Sequence, residues 1–169
     1  MKTPTRLFCI VGLMIFLPAC GGSYNLQQAG TVKSPIRTVA LTPQDGNSAE
    51  VDAYMVDALT AVGVEVRQPL KAGEKISSNV DAVVSYTDLW RWDLVTYMAG
   101  LQINLYDARN GAILATGRWR DSGLHSFQRG EGVSKELIRK IFNGLNSERL
   151  GGIKLDRNMV EKTEITQER

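Results

Sequence analysis

Residues 95–111 read VTYMAGLQINLYDARNG, and this stretch decides the fold. Val95, Tyr97, Ala99, Leu101, Ile103 and Leu105 alternate with Thr96, Met98, Gly100, Gln102 and Asn104, the period of two that marks a strand with one buried face. The run ends at Asp107-Ala108-Arg109-Asn110-Gly111. Asn110-Gly111 supplies positive φ angles cheaply, so a hairpin is expected there, with Ala112 to Asp121 returning as the next strand. The core side of that strand is expected to show Ile113, Ala115, Gly117 and Trp119.

On the other side, Val80 to Trp92 precedes the quoted stretch with a join of only Asp93-Leu94. A two-residue turn there pairs Trp92 with Val95, Trp90 with Tyr97, Asp88 with Ala99, Tyr86 with Leu101 and Val84 with Ile103. The three strands form an antiparallel meander. Further out, Ile36 to Leu41 alternates and stops at Thr42-Pro43. Asn47 or Ser48 can cap a helix whose stripe is Val51, Tyr54, Met55, Ala58, Leu59 and Val62. Gly63 closes it, and Val64 to Arg67 leaves as a strand, which makes a right-handed βαβ unit with parallel strands. Glu131 to Asn146 is expected as a second helix, burying Val133, Leu137, Ile138, Ile141, Phe142 and Leu145. The expected architecture is a two-layer α/β domain: a five-stranded mixed sheet, βαβ followed by the meander, with both helices on one face and a semi-polar face opposite.

Ser85 to Asp93, SYTDLWRWD, is the least ordinary part of this body. Asp88 stands between Tyr86 and Trp90 on the expected core side, with Trp119 one strand beyond Ala99. A carboxylate there must be hydrogen-bonded or have its pKa raised. Asp88 with Trp119 is therefore a candidate buried polar site; the plainer alternative is that Asp88 accepts from an indole N–H or a tyrosine hydroxyl. Trp90, Trp92 and Tyr97 gather near the first hairpin, where they form either core or a docking surface, since Trp and Tyr are enriched at interfaces. Leu89, Arg91 and Met98, on the opposite face, extend the candidate partner surface.

The chain starts with Lys2 and Arg6, an uncharged apolar run from Leu7 to Leu17, then Pro18-Ala19-Cys20-Gly21-Gly22. The run is too short for a bilayer, which needs about 20 residues, and fits a signal peptide. A core helix would not tolerate Pro18 followed by two glycines. Leu17-Pro18-Ala19-Cys20 resembles the lipobox of bacterial lipoproteins. That resemblance implies cleavage before Cys20, diacylglycerol on its thiol and acylation, typically by palmitate, of the new amino terminus. Residue 21 is Gly, not the Asp that retains such proteins at the inner membrane, so an outer-membrane lipoprotein facing the periplasm is implied.

Four segments follow: 1–19 as signal peptide, 20–35 as a flexible tether (GGSYNLQQAGTVKSP after Cys20), 36–146 as the globular domain, and 147–169 as a polar tail. Losing Lys2 and Arg6 reduces the 20 basic side chains to 18, equal to the 18 acidic ones, so binding to nucleic acid has no electrostatic basis. Cys9 leaves with the signal and Cys20 carries lipid, which excludes an intrachain disulfide.

The lipobox, Tyr86-Thr87, Trp90, Trp92-Asp93, the Asp107-to-Gly111 hairpin and the closing helix together resemble a family of small, uncharacterised Gram-negative outer-membrane lipoproteins. The element order is similar to the amino-terminal domain of the Tol-system translocation protein, to penicillin-binding-protein activator lipoproteins and to the core of the curli-secretion lipoprotein. These resemblances imply a fold more than a function. No catalytic constellation is expected: the single histidine, His125, lies near Asp121, Ser122 and Ser126 without an oxyanion loop. No metal cluster, phosphate loop or cofactor site is expected either. The expected role is a non-catalytic module that binds an envelope protein or its own copies, with exposed sheet edges as further docking points. The alternative is a carrier or sensor of a small apolar ligand held between helices and sheet.

Overall fold

The computed structural model describes residues 22–32, 34–122 and 129–146. The elements are β1 (Ser23–Gln28), β2 (Thr38–Leu41), α1 (Ala49–Ala61), β3 (Glu65–Val66), β4 (Ala82–Asp93), β5 (Val95–Asp107), β6 (Ile113–Arg120) and α2 (130–146). They form one six-stranded sheet in the order β1-β6-β5-β4-β2-β3. β2 runs parallel to both β3 and β4, whereas β4, β5, β6 and β1 are antiparallel. The segment expected as a signal peptide, Cys20 expected to carry lipid, His125 and residues 147–169 expected as a polar tail lie outside the described residues.

The sixth strand corrects the expected five, and it comes from the segment expected to be a tether. Ser23–Gln28 pairs along β6 from Ser23↔Arg120 to Gln28↔Ala115. Its residues are mostly polar and exposed, so the two alternating positions Tyr24 and Leu26 give too short a signal to mark a strand. The strand is nevertheless anchored by the face beneath it. A Cβ on Gly22 would overlap the Trp119 indole, so glycine lets the chain close over that ring.

One apolar cluster fills the space between sheet and helices. Val51, Met55, Ala58 and Leu59 of α1 and Val133, Leu137, Ile138, Ile141, Phe142 and Leu145 of α2 meet Val39, Val84, Tyr86, Leu101, Ile103 and Leu105 of the sheet. Both helical stripes are therefore placed as expected. α2 comes closest at Gly117, where a Cβ would press on Leu137 and Ile141. At the opposite end of the sheet, Ala40, Val83, Tyr106 and Ala108 form a small second cluster on the outer face with Val80 and Leu70. The parallel join is fastened by Asp81, whose Oδ2 accepts from Arg37 N–H and Thr38 N–H at 2.9 Å and from the Thr38 hydroxyl at 3.0 Å. Burial raises the Asp81 pKa, but these donors outweigh it and hold the carboxyl below its ordinary value.

Two irregularities correct the expected faces. In the first hairpin Leu94 alone makes the turn between the paired Asp93 and Val95, at φ 61°. The ladder then slips between Leu89 and Trp90, so that Trp90 pairs with Met98, Leu89 with Gly100, and Ala99 is left without a partner. This β-bulge inverts the alternation toward the turn. Met98, expected on the open face, joins the core at 2% exposure, and Tyr97, expected beneath the helices, moves to the outer face. In the second hairpin Leu114 is skipped between Tyr106↔Ile113 and Leu105↔Ala115. Leu114 enters the core and Ile113 is exposed, the reverse of the expectation. The turn itself uses Gly111 at φ 71°, while Asn110 contributes a side-chain acceptor to Ala112 N–H at 2.9 Å.

Candidate functional site

β4 and β5 extend beyond their neighbours. β6 ends opposite Gly100, and β2 reaches only Val84, so, among the described residues, 90–98 pair solely within their own ribbon. The ribbon has a covered side and an open side. On the covered side Met98 and the half-buried Trp90 pack against the core, with Met98 close to Gly130 at the start of α2. At the tip Trp92 is 76% exposed, Leu94 87% and Val95 53%. Exposed Leu94 is also the one non-glycine residue with positive φ among the described residues. That conformation costs an L-residue roughly 1–2 kcal/mol, which glycine would avoid.

Asp88 lies on the covered side and is fully engaged. It accepts from the Trp90 indole N–H at 2.6 Å, and both its oxygens face Ser48 N–H at 3.3 Å. Ser48 is the N-cap of α1 but makes no side-chain cap of its own, so Asp88 substitutes for local capping and ties the helix entrance to β4. Next to it, the Tyr86 hydroxyl donates to Asp52 Oδ1 at 2.6 Å. Burial, then the Asp52 carboxylate, pushes the Tyr86 phenol far above its ordinary range. Trp119 is fully buried on the same face, but Leu101 separates it from Asp88 across the ladder. The indole donor to Asp88 is therefore Trp90; Asp88 and Trp119 share no hydrogen bond, although both border the outer trough. The arrangement reads as a structural network that locks helix to sheet.

The outer face holds a polar ladder. Thr116 Oγ1 and Gln102 Nε2 both donate to Asn104 Oδ1, at 3.1 and 3.3 Å. Arg118 donates through Nε and Nη2 to Gln102 Oε1 at 3.1 and 2.6 Å. Next to the ladder lies a trough of about 620 Å³, bordered by Leu89, Arg91 and Tyr97 on one side and Arg118 and Arg120 on the other. Of the residues assigned to a partner surface, Leu89, Arg91, Trp92 and Tyr97 thus lie toward the outer face or tip, while Trp90 and Met98 face the helices. Arg118, Arg120 and Gly100 were not foreseen as part of any site. Their signal was present as the outward set of β5 and β6, opposite the apolar positions.

Among the described residues there is no group of three metal-ligating side chains, and no helix is long and apolar enough to cross a membrane.

No protein-family model and no curated protein sequence matches the chain. Solved structures do resemble it. A PelC variant from Paraburkholderia phytofirmans, solved as a dodecamer, is 17% identical with a TM-score of 0.50, covering 73% of this chain and 96% of its own. TolB from Acinetobacter baumannii is 12% identical with a TM-score of 0.40, covering 73% of this chain and 31% of its own. A minor lipoprotein from the same organism is 15% identical with a TM-score of 0.33, covering 68% and 95%. Of the three, the PelC chain is similar enough to show a common fold, a mixed sheet with helices on one face.

Proposed function

We propose that this chain is a lipid-anchored envelope protein that acts by assembly and not by catalysis, and that the β4–β5 tip is where a second copy docks. The carrying observation is the tip itself. Trp92, Leu94 and Val95 present apolar surface on a ribbon that no other strand among the described residues supports. Leu94 adds a backbone cost that a glycine would remove. Exposed apolar area and backbone strain at one place are the usual marks of a surface kept for contact. Two further points support the reading. The lipobox of residues 17–20 would place many copies on one membrane, where association needs little affinity. The PelC chain of like fold was solved as a dodecamer. Anchoring through Cys20, an outer-membrane location facing the periplasm and the absence of a catalytic role belong to the same proposal.

The test is photocrosslinking in intact cells from positions 92 and 94 of the lipidated chain, with adducts identified by mass spectrometry. An adduct of two copies supports the reading. An adduct with a different envelope protein keeps the surface but replaces the occupant, and no adduct from either position rejects the tip as an interface.

A further inference from the structure

The outer trough has a feature that an assembly contact at the tip does not use. Leu89, Gly100 and Arg120 form one row across β4, β5 and β6. The central position has no side chain, and that gap is the floor of the trough. Gly100 is not held in a left-handed conformation, and a Cβ there would lie 3.4 Å from the Trp119 carbonyl oxygen and 3.8 Å from Leu89 Cβ, both ordinary contacts. Neither backbone nor space requires glycine. Its effect is to keep the depression open.

Three guanidinium groups border this floor, and among the described residues no lysine does. Arg118 is oriented by Gln102, a neutral acceptor that leaves its charge uncompensated. Among the described residues no carboxylate forms an ion pair with the Arg91 or Arg120 guanidinium. Elsewhere Arg67, Arg109 and Arg139 each lie against a carboxylate, at 3.1, 2.7 and 2.7 Å. Of the two acidic residues of the lining, Asp88 is committed to Trp90 and Ser48, so the three guanidinium groups still outnumber the carboxylates. Three like charges on one face repel one another, and a shared anion would remove that repulsion. Planar guanidinium forks suit carboxylate and phosphate oxygens in particular.

Sheet geometry sets the scale. Arg118 and Arg120 are two residues apart, about 7 Å, and Arg91, two strands across and two residues further along, stands about 12 Å from Arg120 and about 16 Å from Arg118 by backbone spacing, within reach of long side chains. A volume of about 620 Å³ lies within the range of small-molecule sites. Leu89 and Tyr97 add an apolar flank. We propose that this trough binds a small polyanion, with two or more carboxylate or phosphate groups on a short body, clamped by Arg91, Arg118 and Arg120. The inference is independent of the docking role given to the tip.

The test is titration calorimetry of the purified mature chain with citrate and with inorganic pyrophosphate at low salt, alongside cosedimentation with phosphatidylglycerol vesicles. Saturable binding of a soluble anion is expected, weakened about tenfold or more by Arg118→Gln or Arg120→Gln. Gly100→Val should abolish it with every charge retained, and Arg67→Gln should leave it unchanged, each variant being checked for an unaltered melting curve. Vesicle binding with the same sensitivity to Arg118 and Arg120 would assign the anion to a lipid headgroup. Absence of binding in all three arms, or wild-type affinity in the Arg118→Gln/Arg120→Gln double variant, would overturn the proposal.

Discussion

The base and the tip of the β4–β5 hairpin are built from one continuous pair of strands yet behave as different materials. At the base, Ala82 to Tyr86 and, apart from the half-buried Asn104, Ile103 to Asp107 are buried, on the core side beneath the helices and on the outer side under the small Tyr106 cluster. Toward the tip, Arg91 to Thr96 are all exposed. The bulge at Ala99 marks the change, because it rotates the ribbon so that Met98 closes the core and Tyr97 turns to the open face. A long hairpin can therefore stabilise a domain at one end and remain available for contact at the other, provided the two ends are decoupled in register.

The most direct way to break this comparison is to truncate both ends alike. Ile103→Ala at the base should cost about 2–5 kcal/mol, whereas Trp92→Ala at the tip should stay within about 0.5 kcal/mol of wild type in urea denaturation. Equal losses would remove the distinction. Met98→Ala probes the bulge. A residue on the open face would tolerate the change, but a core residue at this site should lose about 2–4 kcal/mol. Asp88→Ala should cost about 1–3 kcal/mol by leaving the Trp90 indole and the Ser48 N–H without their acceptor, with the loss concentrated in hydrogen-exchange protection at the start of α1. Leu94→Gly works in the other direction and should stabilise the isolated domain by about 1 kcal/mol while weakening self-association.

The smallest effect concerns pH and belongs to the base. Asp81 has a folded pKa below its ordinary value of 3.8, so its contribution is present above that value and is lost as pH falls through the depressed one. Asp81→Asn should flatten the acid limb of the stability profile below about pH 4, and a tip variant such as Trp92→Ala should leave that limb unchanged.

Much of the base was legible in the sequence, and much of the tip was not. Val51, Met55, Ala58 and Leu59 recur at helical spacing and Leu101, Ile103 and Leu105 at strand spacing, because each periodicity reports which face meets the core. A bulge adds one residue without any compositional mark, so alternation read through Ala99 and Leu114 assigned Met98, Tyr97 and Ile113 to the wrong sides. β1 was missed for a different reason: Ser23–Gln28 is a short, mostly polar edge strand whose stability comes from the β6 ladder and the Trp119 ring beneath Gly22, both distant in sequence. Asp88 stood out correctly as a carboxylate needing a partner. Which indole satisfied it depended on register, and register is what the bulge altered.

Sedimentation velocity of the mature chain beside its Trp92→Ala/Leu94→Gly double variant tests the central claim most directly. The account predicts that the unaltered chain self-associates and that the double variant is monomeric with an unchanged circular dichroism spectrum and a melting temperature no lower than wild type. A monomeric unaltered chain, or a double variant that associates equally well, would contradict it.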